Sequence, residues 1–153
     1  MYTRQEAASL KENFWTKLGL YMLPIASAEG EKINWINYRT GNKHIYFRLY
    51  VEESIATISI EFMQPDENIR SIYFEQTRQL KIVLEKNTDS NWIWQQHFVN
   101  EHGKPIAKVF CQLENVSVFN QNDWPALITF FKTNLIALDQ FWCMAKYSLE
   151  DLV

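Results

Sequence analysis

The chain has 153 residues and a formal net charge of −3, and 15% of its residues are aromatic, six of them Trp. A chain of this length normally forms one domain, so we interpret residues 1–153 as a single domain. The negative charge argues against a protein that grips nucleic acid mainly by neutralising phosphates, because that mode needs a basic field. A local basic patch is still compatible with this net charge.

The amino-terminal stretch and the two cysteines indicate in which cellular compartment the protein is expected. The amino-terminal stretch MYTRQEAASLKENFW has no uninterrupted apolar run like that of a signal peptide, and no run of about 18 apolar residues could span a membrane. Cys111 and Cys143 show no metal-binding or redox spacing. Without an export signal they are expected to be reduced thiols. We therefore expect a cytoplasmic protein with no cofactor, no metal site and no membrane partner.

The first helix is predicted from its capping box. Thr3 is the expected N-cap and Glu6 reaches back to it. Apolar residues then recur at helical spacing to about Met22, and Pro24 ends the helix.

The stretch from Ile33 to Met63 is interpreted as three consecutive antiparallel strands. Residues 44–51 alternate strictly between polar and apolar, as a half-buried strand does, and residues 57–62 repeat this with shifted parity. If both apolar sets lie on one face, odd positions of the second strand oppose even positions of the third. A tight Glu52-Glu53 connection meets this condition. It would pair His44 with Glu61, Tyr46 with Ser59, and Arg48 with Thr57.

A hairpin is also predicted before His44, because Gly41 and Asn42 tolerate positive φ. A two-residue loop there would put Trp35 beside Arg48, with Asn37 beside Tyr46 and Arg39 beside His44. The face opposite the apolar one would then carry aromatic and polar side chains: Trp35, Asn37, Arg39, His44, Tyr46, Arg48, Tyr50, Ser59 and Glu61.

The rest of the chain predicts a second helix, a second hairpin and a last helix. Asp66 is the expected N-cap of the second helix. The segments NWIWQQHFV and PIAKVFCQL form the hairpin, with Gly103 in its turn. The last helix begins near Asp123, has Pro125 in its first turn and runs to about Tyr147. The fold class is thus α+β, an antiparallel sheet of about five strands with three helices in the order α-β-β-β-α-β-β-α.

The last helix has an apolar stripe wider than one normal face. Leu127, Phe131 and Leu135 begin one stripe, and Phe130 and Phe141 help to widen it. Such a helix is either central to the core or shared with a second subunit. We expect a homo-oligomer, in its simplest form a homodimer.

The aromatic-polar face is the candidate binding site. Exposed aromatic residues on a sheet can stack bases or other planar groups, and the competing interpretation is that a helix or partner covers this face. His44 with Glu61 resembles a base and its orienting carboxylate. A cross-strand pair of this kind is more often structural.

The predicted order helix, three strands, helix, strand also matches the core of restriction-endonuclease-like proteins. That core needs an acidic residue followed by Glu-x-Lys to hold magnesium. Glu61 is followed by Phe62 and Met63, with no lysine at the required place. An active enzyme of that class is therefore not expected.

Several strings resemble a bacterial domain-of-unknown-function family, number 4268. These strings are AEGEKINWINYRTG, HIYFRLYV, IYFEQ, NWIWQ and SVFNQNDWPALITFFKTNLIALDQFW. The resemblance covers nearly the whole chain. It implies a small α+β domain found alone or at the end of longer bacterial proteins, some with nuclease-like parts, and it implies no activity for any single residue.

The sequence is compatible with two functions. The first is a cytoplasmic, non-enzymatic binding or assembly domain that uses the aromatic-polar face to hold a protein partner or a small ligand. The alternative is a degenerate or atypical restriction-endonuclease-like domain that contacts DNA through Arg39, Lys43 and Arg48, which the net charge does not favour. The candidate binding residues are Trp35, Arg39, His44, Tyr46, Arg48, Tyr50 and Glu61.

Overall fold

The computed structural model describes residues 2–152, which form α-helices and one antiparallel sheet. The elements are α1 Arg4–Met22, β1 Ile45–Val51, β2 Ile55–Phe62, α2 Glu67–Arg78, α3 Lys81–Lys86, β3 Ile93–Val99, β4 Pro105–Glu114 and α4 Trp124–Ser148. The predicted α+β class with an antiparallel sheet is confirmed. The predicted count of about five strands and three helices is wrong, because the described residues form four strands and four α-helices.

The sheet has the strand order β1-β2-β4-β3, so β1 and β3 are its edges. The strand registers bring apolar side chains of three strands onto one face, which we call the inner face. Its residues are Ile45, Phe47, Leu49, Val51, Ala56, Ile58, Ile60, Phe62, Ala107, Val109, Cys111 and Leu113. The opposite side is called the outer face.

The predicted parity of the β1–β2 pairing is confirmed, but the predicted partners are wrong. Tyr46 lies opposite Glu61, and Arg48 lies opposite Ser59. The register differs by two residues because the turn comes one residue later than predicted. Its second residue, Ser54, takes a φ of 77°.

Residues 33–39 form an irregular segment with one bend and one turn instead of the predicted first strand. Trp35 is 3% exposed, and its indole N–H donates to the Ile25 carbonyl oxygen at 3.0 Å. Tyr38 stacks on Phe47 with ring centroids 4.3 Å apart, and its hydroxyl donates to Asp139 at 2.6 Å. These side-chain contacts hold the segment against the inner face, so it does not join the sheet.

The helices cover the inner face. Phe74 of α2 packs edge-on against Phe62 at 5.7 Å, and Trp142 of α4 packs edge-on against Phe47 at 6.0 Å. α1 packs on α4, where Phe14 lies 6.0 Å from Phe131. Covering one face of an antiparallel sheet in this way leaves the other face available to solvent or to a partner.

Strand β3 contains a bulge that explains its irregular sequence pattern. Gln95 pairs with Lys108, but Phe98 pairs with Ile106, so β3 has one residue more than β4 between these pairs. An extra residue reverses which side chains face each side of the sheet. Trp94 therefore lies on the inner face opposite Val109, whereas Phe98 lies on the outer face beside Lys108.

The wide apolar surface of α4 is accounted for within one chain. Phe141 is fully buried and Phe130 is half-buried. α4 contacts α1, α2, α3 and β2, so it is surrounded by layers of its own chain. Of the two predicted alternatives, α4 is therefore the helix at the centre of the core. Its apolar surface gives no reason to expect a second subunit.

No α-helix within residues 2–152 is long and apolar enough to cross a membrane.

The two faces of β1 predict different responses to truncation. Phe47→Ala removes a ring that is 8% exposed and touches Tyr38 and Trp142, so it should lower the free energy of unfolding by about 3–5 kcal/mol. Tyr46→Ala, one residue away on the outer face, should cost much less. Urea melts of both variants measure this, and equal losses would mean that the outer face is also covered.

Candidate functional site

The outer face consists of rows of side chains that cross the sheet. One row runs from Tyr46 through Glu61 and Lys108 to Gln95. The next row runs from Arg48 through Ser59 and Phe110 to Ile93, and a third joins Tyr50, Thr57 and Gln112. Tyr46 is 38% exposed and Tyr50 is 50% exposed. The face therefore combines aromatic rings at its edge with charged groups toward its centre.

Arg48 is held in place by its neighbours on this face. Its guanidinium carbon lies 4.5 Å from the centroid of the Tyr46 ring, a cation–π contact. Its Nε lies 3.9 Å from Oε1 of Glu61, whose Oε2 accepts a hydrogen bond from the Ser59 hydroxyl at 3.3 Å. The Arg48 side chain is nevertheless 51% exposed. A cation held in one geometry and still open to solvent is prepared for an additional contact.

Lys108 is the second cation of the face. Its Nζ lies 3.6 Å from the centroid of the Phe98 ring and 4.4 Å from that of Phe110. Lys108 is directly opposite Glu61 in the β2–β4 pairing. Burial under the aromatic rings lowers the pKa of Lys108, and the charge of Glu61 acts in the opposite direction.

Glu61 is the one acidic residue in these rows. Burial raises the pKa of its carboxyl above the ordinary value of 4.5, while Arg48, the Ser59 hydroxyl and Lys108 lower it. Burial is the largest of these effects. The carboxyl is therefore partly desolvated even without a partner, and its two cations do not fully compensate for the lost water.

A shallow groove of about 550 Å³ crosses the outer face. It is lined by Arg48, Tyr50, Glu61, Phe98 and Lys108, together with residues of the β3–β4 turn. Glu101 and His102 of that turn stand at its rim and are exposed. The groove thus brings together residues of all four strands and of the turn that joins β3 to β4.

Four of the predicted site residues lie together on the outer face: Tyr46, Arg48, Tyr50 and Glu61. Arg39 is in the irregular segment before β1, where it lines a second groove together with Tyr46 and Arg48. His44 lies opposite Met63, whose N–H donates to its carbonyl oxygen at 2.8 Å, so the predicted His44–Glu61 pair is wrong. The shift of register described above separates them.

Trp35 does not belong to the outer face. Its burial on the inner side contradicts the predicted position beside Arg48, and the aromatic partner of Arg48 is Tyr46. Lys108 and Phe98 were not among the predicted site residues. The alternation of β4 could have placed Lys108, whereas Phe98 could not be placed without knowing of the bulge.

The described residues contain no group of three or more His, Cys, Asp or Glu side chains that could hold a metal ion.

The segment before β1 is fixed by a buried carboxylate. Asp139 is 4% exposed and accepts from the Tyr38 hydroxyl and from the Ala28 N–H, both at 2.6 Å. Burial raises the pKa of Tyr38 well above its ordinary value, and the hydrogen bond to Asp139 is the second largest cause. The Trp142 indole N–H also donates to the Thr40 carbonyl oxygen at 2.8 Å. These bonds connect the string AEGEKINWINYRTG to α4.

A family profile described as Domain of unknown function (DUF4268) matches residues 10–146. The chain belongs to this family. The match begins within α1, ends near the end of α4 and includes every element between them. Searches of curated proteins and of solved structures gave no match. Membership in the family therefore assigns no activity to the chain.

Glu61 should make the free energy of unfolding of the DUF4268 domain depend on pH. Its folded-state pKa lies above the unfolded value, so stability that is present below the unfolded value is lost as pH rises through the folded one. Glu61→Gln mimics the protonated form. Urea melts should give similar free energies of unfolding for both proteins near about pH 4 and a relative gain for the variant near about pH 7. A difference that is independent of pH, or of opposite sign, would contradict this environment for Glu61.

Proposed function

We propose that this chain is a cytoplasmic, non-enzymatic binding or assembly domain whose outer face docks another protein. The observation that carries the proposal is that α2 and α4 pack on the inner face, whereas Tyr46, Arg48 and Tyr50 remain 38% or more exposed. Exposed Tyr and Arg side chains on a rigid sheet are the residue types that dominate binding energy at protein interfaces.

The organisation of Arg48 supports binding over simple exposure. Tyr46 and Glu61 hold the guanidinium without burying it, so little side-chain freedom remains to be lost when a partner contacts it. The partly buried Glu61 and Lys108 lie beside it. A partner that brings its own polar groups would supply hydrogen bonds that these two charges lack.

Two features support the non-enzymatic and cytoplasmic parts of the proposal. His44 and Glu61, the base and carboxylate that the sequence suggested, are in different rows. Cys111 and Cys143 are free, and burial raises the pKa of Cys111 to about 12. Free thiols of this kind are ordinary in a reducing compartment.

Site-specific photo-crosslinking in the source cells tests the proposal. A photoreactive amino acid at position 50, on the outer face, should give one prominent protein adduct that mass spectrometry can identify. The matched control is position 72 on α2, since Ile72 is 42% exposed and Tyr50 is 50% exposed. No adduct at position 50, or the same adducts at both positions, would contradict docking by the outer face.

Arg48→Ala should then weaken binding of the purified partner. We expect a loss of about 2 kcal/mol or more, as for a central interface arginine, measured by isothermal titration calorimetry. Arg78→Ala is the control, because Arg78 is on α2 and its side chain is 49% exposed against 51% for Arg48. Equal affinities of both variants and the unmodified protein would argue against the role of Arg48.

The runner-up is a DNA-contacting domain related to atypical restriction endonucleases. One observation favours it, namely that Arg39 and Arg48 line the same groove, with Lys43 nearby in sequence on the turn before β1. The strand order that first suggested this class is absent, since residues 33–39 are not a strand. The support therefore rests on the charges alone.

Fluorescence anisotropy with duplex DNA at increasing salt separates the two functions. DNA contact predicts an affinity that falls steeply with salt, and each of Arg39→Ala, Lys43→Ala and Arg48→Ala should reduce the salt slope by about one. Arg78→Ala should leave the slope unchanged. Absence of measurable binding at low salt would remove this alternative.

A further inference from the structure

The second groove runs along the edge of the sheet. It is lined by Trp15 of α1, by residues 36–39 and by residues 46–49 of β1, and its volume is about 570 Å³. Successive residues of a strand direct their side chains to opposite faces of a sheet. A groove lined by four consecutive residues of β1 therefore lies along the edge of that strand and not on either face. Its volume is within the range of small-molecule sites.

The backbone of β1 contributes unpaired polar groups to this groove. In an antiparallel pair, alternate residues bond to the neighbouring strand and the others direct their N–H and C=O groups away from it. The Met63 N–H donates to the His44 carbonyl oxygen, so the even-numbered residues bond to β2. Phe47 and Leu49 direct their backbone groups to the groove, where these groups have no hydrogen-bond partner within residues 2–152. They are therefore available to a ligand or to water.

The walls of the groove are largely apolar. Trp15, Ile36 and Leu49 are half-buried, so part of each side chain is still accessible. The Tyr38 ring is stacked on Phe47, which is 8% exposed. A groove with such walls suits a small molecule and not an additional strand, because a strand would need the whole edge of β1 to be open.

The charged side chains that line the groove are all cationic. Arg39 and Arg48 both line it, and no Asp or Glu of the described residues does. Arg39 is exposed and forms no ion pair within residues 2–152. Arg48 lies over the Tyr46 ring, 3.9 Å from the Glu61 carboxylate, and its side chain is 51% exposed. A chain with a net charge of −3 therefore has a groove that complements an anion.

We propose that the second groove binds a small molecule with an apolar, ring-sized body and an anionic head group, either a carboxylate or a phosphate. Arg39 and Arg48 bind the head group, because a guanidinium matches the oxygen atoms of both kinds of anion. Trp15 and Ile36 contact the body of the ligand. The free backbone groups of Leu49 bond to polar atoms on that body.

This site goes beyond the proposed function and does not rest on it. The groove on the outer face and the second groove share Arg48 and Leu49, so substitutions at these two positions would affect both. Arg39 lines the second groove and not the first, whereas Glu101 and His102 line the first and not the second. Arg39 is therefore the position at which the two sites can be separated.

Calorimetric titration of the full chain with paired probes tests the ligand class. Naphthoate is compared with naphthalenemethanol, and adenosine monophosphate with adenosine, so each anion has a neutral counterpart with the same ring. At least one anion should bind about tenfold more tightly than its counterpart, because only the anion makes charge-assisted hydrogen bonds. The preferred anion identifies the head group as a carboxylate or a phosphate. Equal affinities within both pairs, or no binding of either anion up to about 1 mM, would overturn the proposal.

Arg39→Met tests the role of the arginine at the groove. Because Arg39 is exposed and forms no ion pair, the variant should fold normally. It should bind the anionic probe about tenfold less tightly and the neutral counterpart with unchanged affinity. Arg78→Met is the control, since Arg78 is on α2 with a 49% exposed side chain, and it should bind both probes as the unmodified chain does. Equal losses in the two variants would overturn the proposal.

Amide chemical shifts in NMR spectra locate the bound probe. The anion should shift the signals of Asn37, Arg39 and Leu49, which line the second groove, and leave those of Glu101 and His102 unchanged. Shifts confined to Glu101 and His102 would overturn the proposal, because they would place the anion in the groove of the outer face. Binding of duplex DNA without binding of either small anion would also overturn it, and would support the DNA-contacting alternative.

Discussion

The structure depends on the requirement that three neighbouring strands bury their apolar side chains on the same face. Phe47, Ile60 and Val109 form one row of that face, and the helices pack against it. Because strand side chains alternate, this burial also determines what the outer face displays. Tyr46 and Arg48 are exposed as a consequence of where Phe47 lies. The candidate site and the core are therefore consequences of one register.

The sequence predicted this alternation but not every pairing. Parity could be deduced because a slip of one residue would expose the whole apolar set. A slip of two residues conserves parity, so parity alone does not select the pairing. The observed pairing depends on a turn in which Ser54 takes positive φ, a conformation that β-turn statistics do not favour for Ser. Trp35 was misplaced for a different reason. Its segment is held by contacts such as the bond from Tyr38 to Asp139, which is 101 residues away in the sequence and beyond any local pattern.

The prediction of the site residues was limited in the same way, because local patterns do not contain the turns, bulges and distant contacts that place some side chains. Tyr46, Arg48 and Glu61 were found because they follow from the alternation of two adjacent strands. The place of Phe98 depends on a single extra residue in β3, and periodicity alone cannot detect it. The unusual string NWINYRTG turns out to contain anchors to the core, such as Trp35 and Tyr38. A distinctive sequence can therefore mark a structural contact as readily as a binding site.

Residue-resolved amide hydrogen exchange along β1 tests the central claim most directly, namely that the register makes the even-numbered residues of this strand bond to β2. In dilute protein the account predicts slow exchange at Arg48 and Tyr50 and fast exchange at Phe47 and Leu49, since exchange reports local hydrogen bonding. Slow exchange at Phe47 and Leu49, with fast exchange at Arg48 and Tyr50, would show that the register and the proposed function built on it are wrong.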